Sequence, residues 1–125
     1  MAKSVLIADD HEMIRKALCE LFTSQEDFEV CAEAGNGKEA VEMAQVCHPD
    51  LILLDLSMPV MNGIEAACEL KRLMPMVPII VFSEHGNVFS EKEARANGIS
   101  AVVPKDAHLS SLLERAREIC WPMAA

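Results

Sequence analysis

Three carboxylates, a hydroxyl and an ammonium stand just past short apolar runs in this chain. Asp9 and Asp10 follow residues 4–8, Asp55 follows 51–54, Ser83 follows 77–82, and Lys105 lies beyond 101–103. Each has a plain reading on its own. An Asp after a strand is a ready helix cap, Asp10 suits the start of the first helix as well, and a lone Lys is a solvated charge. Together they suggest a site. Two carboxylates about 5 Å apart repel by roughly 3 kcal/mol at an effective dielectric of about 20. A fold that gathers three of them needs an offset, either protonation or a divalent cation. Oxygen ligands favour Mg²⁺ or Mn²⁺. A carboxylate beside such an ion is also a nucleophile toward phosphorus, forming an aspartyl-phosphate. Lys105 would meet the phosphoryl oxygens by charge and Ser83 by a hydrogen bond.

The elements that must bring these residues together follow from the apolar pattern. Runs at 4–8, 51–54, 77–82 and 101–103 are near-continuous in Val, Ile, Leu and Ala, as strands buried on both faces of a parallel sheet are. The run at 28–34 mixes Val30, Ala32 and Ala34 with Glu29 and Glu33, which reads as an edge strand. Helical patterns lie between. Asn36 and Asn62 each stand three residues before a Glu, the spacing of a cap that the Glu can answer. Ile14, Ala17, Leu18 and Leu21 form one apolar face. Ile64, Ala67, Leu70 and Met74 form another, ended by Pro75, and Leu109, Leu112, Leu113 and Ala116 a third, with Asp106 as cap. The stretch 87–96, with Val88, Phe89 and Ala94, is the weakest helix and is closed by Asn97-Gly98. Five strand–helix repeats predict an α/β fold, a doubly wound parallel sheet with right-handed crossovers. Its ligands sit at the carboxyl ends of the strands.

Composition narrows the class. The 125 residues carry 11 Lys+Arg against 20 Asp+Glu, a net charge of −9, with 51% hydrophobic and 25% charged residues. That is one globular domain with a real core, not a disordered chain. The acidic balance argues against nucleic-acid binding by this domain. No apolar run approaches the roughly 20 residues of a membrane span, and Asp9-Asp10 cut the first run too early for a signal peptide. Cys19, Cys31, Cys47, Cys68 and Cys120 lack C-x-x-C spacing and read as free buried thiols of a reducing cytosol. His11, His48 and His108 lack ligand spacing and read as surface or cap residues, and most of the eight Met as core filling.

Asp9-Asp10, the run Asp55, Leu56, Ser57, Met58 and Pro59, then Asn62-Gly63, Ser83 and Lys105 resemble, in order and in register, the signature of response-regulator receiver domains. The resemblance covers the whole chain, 1–125, as one receiver. It implies the flavodoxin-like, CheY-like (βα)5 fold, five strands ordered 2-1-3-4-5. It also implies that Asp55 is the phosphoacceptor, charged by a sensor histidine kinase or phosphotransfer protein. Asp10 would bind Mg²⁺ (or Mn²⁺) directly, Asp9 directly or through water, together with Asp55 and the backbone carbonyl of Ser57. Ser83 would follow the phosphoryl group and Lys105 would pair with it. The Met58–Ala66 stretch and Lys105-Asp106 are most similar to receivers of LuxR-type regulators, which implies a cytoplasmic role in transcription regulation. It leads one to expect a DNA-binding helix-turn-helix, absent from these 125 residues. The chain is then either a stand-alone receiver or one cut from its output domain. Dimer or output contacts are expected on the face of helix four, strand five and helix five.

Three positions depart from the family pattern. Val102 stands where many relatives carry a rotating Tyr or Phe, Pro104 removes a backbone donor before the lysine, and Glu84 replaces a small residue. Ser57 and His85 match positions that tune dephosphorylation, although Glu84 and His85 also read as plain loop residues. A Mg²⁺-dependent phosphohydrolase of the haloacid-dehalogenase kind needs an Asp two residues after the nucleophile, and Ser57 is there instead. The expectation is therefore a signalling module, not an enzyme, acting only on its own phosphorylation and dephosphorylation. A phosphorylation-independent scaffold is the alternative that Val102 and Glu84 leave open.

Overall fold

The computed structural model describes residues 2–83, 91–105 and 108–122. Ten elements alternate along the chain: β1(Lys3–Ala8), α1(Glu12–Thr23), β2(Phe28–Ala34), α2(Gly37–Cys47), β3(Leu51–Asp55), α3(Gly63–Leu73), β4(Ile79–Ser83), α4(Glu91–Ala96), β5(Ala101–Pro104) and α5(Leu109–Cys120). The five strands form one parallel sheet in the order β2-β1-β3-β4-β5. The order reverses at β1, so β1 and β3 lie side by side with their carboxyl ends at the switch point, in register from Val5↔Leu51 to Ala8↔Leu54.

Alternation along each strand builds two cores. Leu6, Ala8, Ile52, Leu54, Ile79 and Val81 face α2, α3 and α4, meeting Ala40, Ala44, Ala66, Ala67, Leu70 and Ala94. Val5, Ile7, Leu51, Leu53, Ile80 and Phe82 face the other way onto Leu18 and Phe22 of α1 and Leu112, Leu113 and Ala116 of α5. β1, β3 and β4 are shielded by strands and helices on all sides, which is why they read as unbroken apolar runs. β2 is an edge strand, as its mixed pattern predicts. β5 is the other edge, as the order 2-1-3-4-5 implies, with Val102 half-buried and Pro104 exposed. Pro104 is tolerated there because the Lys105 N–H donates to Ser83 O at 2.7 Å. The preceding N–H would point off the sheet, where a proline removes nothing.

The cap pattern that the Asn–Glu spacing predicts is complete at α3 and half made at α2. Asn62 accepts from the Glu65 N–H and Glu65 answers the Asn62 N–H, a full capping box at α3. Asn36 accepts from the Glu39 N–H, but Glu39 returns its bond to Gly35. α1 starts after His11 rather than after a capping Asp10, and no side chain caps it. α5 starts after His108, also uncapped by a side chain, while the expected cap Asp106 lies outside the described residues. So do Glu84, His85, Val88, Phe89 and the start of the helix expected over 87–96. That helix ends as expected at Asn97-Gly98, where Gly98 takes φ +82°.

Three burial expectations need correction. Ala17 is exposed, and Phe22 takes its place in the α1 stripe. Leu109 is likewise exposed at the start of α5. The cysteines are free but none is fully buried, and Cys68 is exposed, because they fall at the margins of the helix and strand faces. Met43, Met58, Met61 and Met74 do pack on the core, whereas Met13 and Met76 project into solvent. Among the described residues no helix is long and apolar enough to cross a membrane.

Candidate functional site

The β1, β3 and β4 carboxyl ends bring Asp9, Asp55 and Ser83 together beneath the surface, with exposures of 0, 2 and 2%. Among the described residues these are the buried polar ones in a core that is otherwise apolar, and their placement follows from strand register: Ala8 pairs with Leu54, and Asp55 with Phe82. Asp9 continues β1 and its N–H donates to Ala34 O at 3.0 Å. Asp55 is the last residue of β3. Behind it the chain turns through Ser57, Met58 and Pro59 into α3. Gly63 closes this turn by donating to Leu56 O at 2.9 Å, and a Cβ at Gly63 would collide with the Asp55 carbonyl oxygen. The residue must therefore be glycine for β3 to end where it does.

Lys105 enters from the end of β5. Its Nζ lies 3.1 Å from Asp55 Oδ1 and 3.4 Å from Asp9 Oδ2, and 5.3 Å from the centre of the Phe82 ring. Asp55 Oδ1 also accepts the Ser57 N–H at 3.4 Å. Asp55 Oδ2 and Ser83 Oγ are buried with no hydrogen-bond partner among the described residues, and Asp9 Oδ2 has only the Lys105 ammonium nearby. Unpartnered buried oxygens are costly, so their presence in a cluster marks a place that something else fills.

Burial pushes the Asp55 carboxyl up from its ordinary 3.8 to about 6, and the neighbouring Asp9 charge adds to the rise. Lys105 and the Ser57 N–H work in the opposite direction. Burial also works against the Lys105 charge, but Asp55 and Asp9 outweigh it and raise its pKa overall. A single ammonium therefore does not balance the two buried carboxylates.

Asp10 is exposed at the mouth, in a groove it shares with Leu56, Ser57, Met58, Pro59, Asn62 and Ile64. Asp9, Asp10 and Asp55 each offer an oxygen within 4.8 Å of the others, so the carboxylates meet as their strand-end positions predict. This donor set fits a small divalent cation such as Mg²⁺, which takes one or two carboxylates and keeps several waters. Inside, His11, Asp55, Leu56, Ser57, Ser83 and Lys105 line a cavity of about 140 Å³. That is several times a water molecule's share of roughly 30 Å³, room for a phosphoryl group. Val102 is not part of this cavity. It packs on the α2–α3–α4 side of the sheet, paired with Val81.

Two residues of the site escape the sequence reading. His11 joins the cluster, its Nδ1 3.3 Å from Asp9 Oδ1 and 3.2 Å from Asp10 Oδ1. The signal was its adjacency to Asp9-Asp10, which a search for separated ligands passes over. Arg15 holds the turn by donating from Nη1 to Asp9 O at 2.8 Å, one helical turn along α1 from His11.

The family model of the response regulator receiver domain matches residues 5–117. The response regulator protein VraR of Staphylococcus epidermidis is 34% identical over 118 residues, 94% of this chain. The chain spans just 56% of that relative's length. The chemotaxis protein CheY of Halobacterium salinarum is 36% identical, with 95% of this chain and 98% of that protein covered. Among solved structures, the Borrelia burgdorferi CheX-CheY-BeF3-Mg²⁺ complex superposes with a TM-score of 0.87 at 28% identity, covering 94% of this chain and 88% of that one. With the expected sheet order in place, and a family match that runs from β1 into α5, the chain belongs to the response regulator receiver domain family.

Proposed function

We propose that this chain takes a phosphoryl group onto Asp55 from a phosphohistidine of a sensor kinase or phosphotransfer protein, and that the resulting charge switches its contacts. The observation that carries the reading is Asp55 Oδ2: buried, without a hydrogen-bond partner among the described residues, and in a residue that lines a cavity with the likewise unpartnered Ser83 hydroxyl and the Lys105 ammonium.

Oδ2 attacks phosphorus, the P–N bond of the donor breaks, and its electron pair leaves with the imidazole nitrogen, which takes a proton from solvent. Lys105 stays beside Oδ1, able to follow the charge as it spreads onto the phosphoryl oxygens, and Ser83 Oγ is free to donate to one of them. Asp9, Asp10, Asp55 and the Ser57 carbonyl are the groups that would hold Mg²⁺ or Mn²⁺. When bound, the ion supplies positive charge to the attacking carboxylate and the transferring oxygens. The BeF3 and Mg²⁺ named in the Borrelia CheY complex support this, since BeF3 has the shape of a phosphoryl group. The chemistry is confined to the chain's own Asp55, so the product is a signal. Ser83 ends β4 and Lys105 directly follows β5, which favours the face of α4, β5 and α5 for the readout. Val102 puts an aliphatic side chain there, so that readout works without a ring rotation.

Acetyl phosphate and a phosphohistidine donor, each with Mg²⁺, test the proposal. One phosphoryl group should be added by mass, labile to hydroxylamine, and lost with EDTA or in Asp55→Asn. No adduct from either donor would leave the phosphorylation-independent scaffold as the better reading.

A further inference from the structure

His11 is the residue of the cluster that the phosphotransfer reading does not use. It occupies the N-cap position of α1 with φ −88° and ψ 104°, yet its side chain makes no capping bond. Instead its Nδ1 turns to the carboxylates, 3.3 Å from Asp9 Oδ1 and 3.2 Å from Asp10 Oδ1. The backbone holds it there. The His11 N–H donates to Asp9 Oδ1 at 2.8 Å, and Arg15 grips the Asp9 carbonyl from the next turn. One donor atom each from Asp9, Asp10, His11 and Asp55 lie within 4.8 Å of one another. Ligands about 2.1 Å from an octahedral ion are about 3.0 Å apart along each edge. The two His11 contacts are close to that edge length.

A second, independent observation points to a ligand here. Ser83 Oγ, outside the four-residue cluster and 2% exposed, lines the same cavity as His11 and Asp55 and has no partner among the described residues.

The geometry points to His11 Nδ1 as an inner ligand of the cation held by the carboxylates, so that the site prefers a first-row transition metal to Mg²⁺. The inference rests on the proposed cation site and deepens it. Mg²⁺ takes oxygen and sheds water reluctantly, so it gains little from an imidazole. Mn²⁺, Co²⁺ and Ni²⁺ take imidazole nitrogen readily, with affinity rising in that order. A mixed set of three carboxylate oxygens and one nitrogen should therefore separate these ions from Mg²⁺ more widely than carboxylates alone. His11 has a side chain 55% exposed and is replaceable without disturbing the core.

The test compares wild type, His11→Ala and His11→Gln at one fixed pH near 8. Calorimetric titration with Mg²⁺, Mn²⁺ and Ni²⁺ gives the affinities. Pulsed electron paramagnetic resonance on the Mn²⁺ form looks for nitrogen-14 coupling. Wild type should show the coupling and both variants should lack it. The Ni²⁺ affinity should fall on the order of tenfold or more in both variants while that for Mg²⁺ changes less than about twofold. No nitrogen coupling in wild type, or equal losses for all three ions, overturns the assignment of His11. If no ion binds even to wild type, the cation site itself is wrong, and so is the reading on which this inference rests.

Discussion

Neutralising Asp55 should stabilise the protein when no metal is present. The carboxyl is 2% exposed, and its pKa rises from 3.8 to about 6, through burial first and Asp9 second. In that window the native state holds a proton that the unfolded chain has released, so stability falls as the pH rises from about 4 to about 6 and stays low above it. At roughly 1.4 kcal/mol per pH unit, the ionised carboxylate costs the fold on the order of 3 kcal/mol at pH 7. Asn keeps the shape and an acceptor for the Ser57 N–H, but leaves Lys105 with Asp9 alone, which takes back part of the gain. The net expectation for Asp55→Asn in EDTA at pH 7 is about 1–3 kcal/mol. For a domain of this size that is a rise in Tm of roughly 3–10 °C. At pH 5 wild type recovers part of its proton and the difference should shrink to about half. Asp10→Asn serves as the control, because Asp10 is exposed and its neutralisation should move Tm by no more than a degree or two. Thermal melts followed by circular dichroism decide the matter. A variant less stable than wild type at pH 7, or a difference of the same size at both pH values, would refute the electrostatic account of the cluster.

Three further outcomes follow from single residues. Val60 is a β-branched residue held at φ 69° and is 77% exposed, so Val60→Gly should relieve strain without losing packing and raise stability by about 1 kcal/mol in denaturant unfolding. Gly63→Ala should destabilise by more than about 2 kcal/mol and shift the Asp55 carboxyl carbon resonance in NMR spectra, because the new methyl group meets the Asp55 backbone. Ser83→Ala should leave Tm within about 2 °C of wild type, since the buried Oγ it removes has no partner among the described residues, yet should slow or mis-orient phosphoryl transfer in the same preparation. A large loss of stability in Ser83→Ala would refute the reading of Ser83 Oγ as a hydroxyl kept for the phosphoryl group.

Much of the site was legible because each of its core members follows an apolar strand. A buried strand excludes polar side chains until its last residue, so Asp55 and Ser83 mark where β3 and β4 stop. The Asn62–Glu65 box marks where α3 starts. Phase and exposure were harder to read. In α1, Ala17 and Phe22 sit on opposite flanks of the same stripe, and only packing against the sheet shows that Phe22 is the one buried. Ala101 to Val103 is as apolar as the inner strands although it lies at an edge of the sheet, a fact of sheet order that the run itself does not contain and that only the resemblance implied. His11 was missed for a different reason. Its imidazole reaches Asp9 and Asp10 because the chain turns there from β1 into α1, and a turn folds neighbours onto one another in ways that periodicity does not register.

The central claim is that Asp55, of all the oxygens in the cavity, receives the phosphoryl group. Borohydride reduces an aspartyl-phosphate to homoserine and leaves phosphoserine and free carboxylates unchanged. The chain, treated with donor and Mg²⁺, is reduced and digested, and the peptide carrying residue 55 is sequenced by mass spectrometry. The account predicts homoserine at position 55 and at no other aspartate, and none when EDTA replaces Mg²⁺. Homoserine at Asp9 or Asp10, or a phosphoryl group found instead on Ser83, Ser57 or His11, would contradict it.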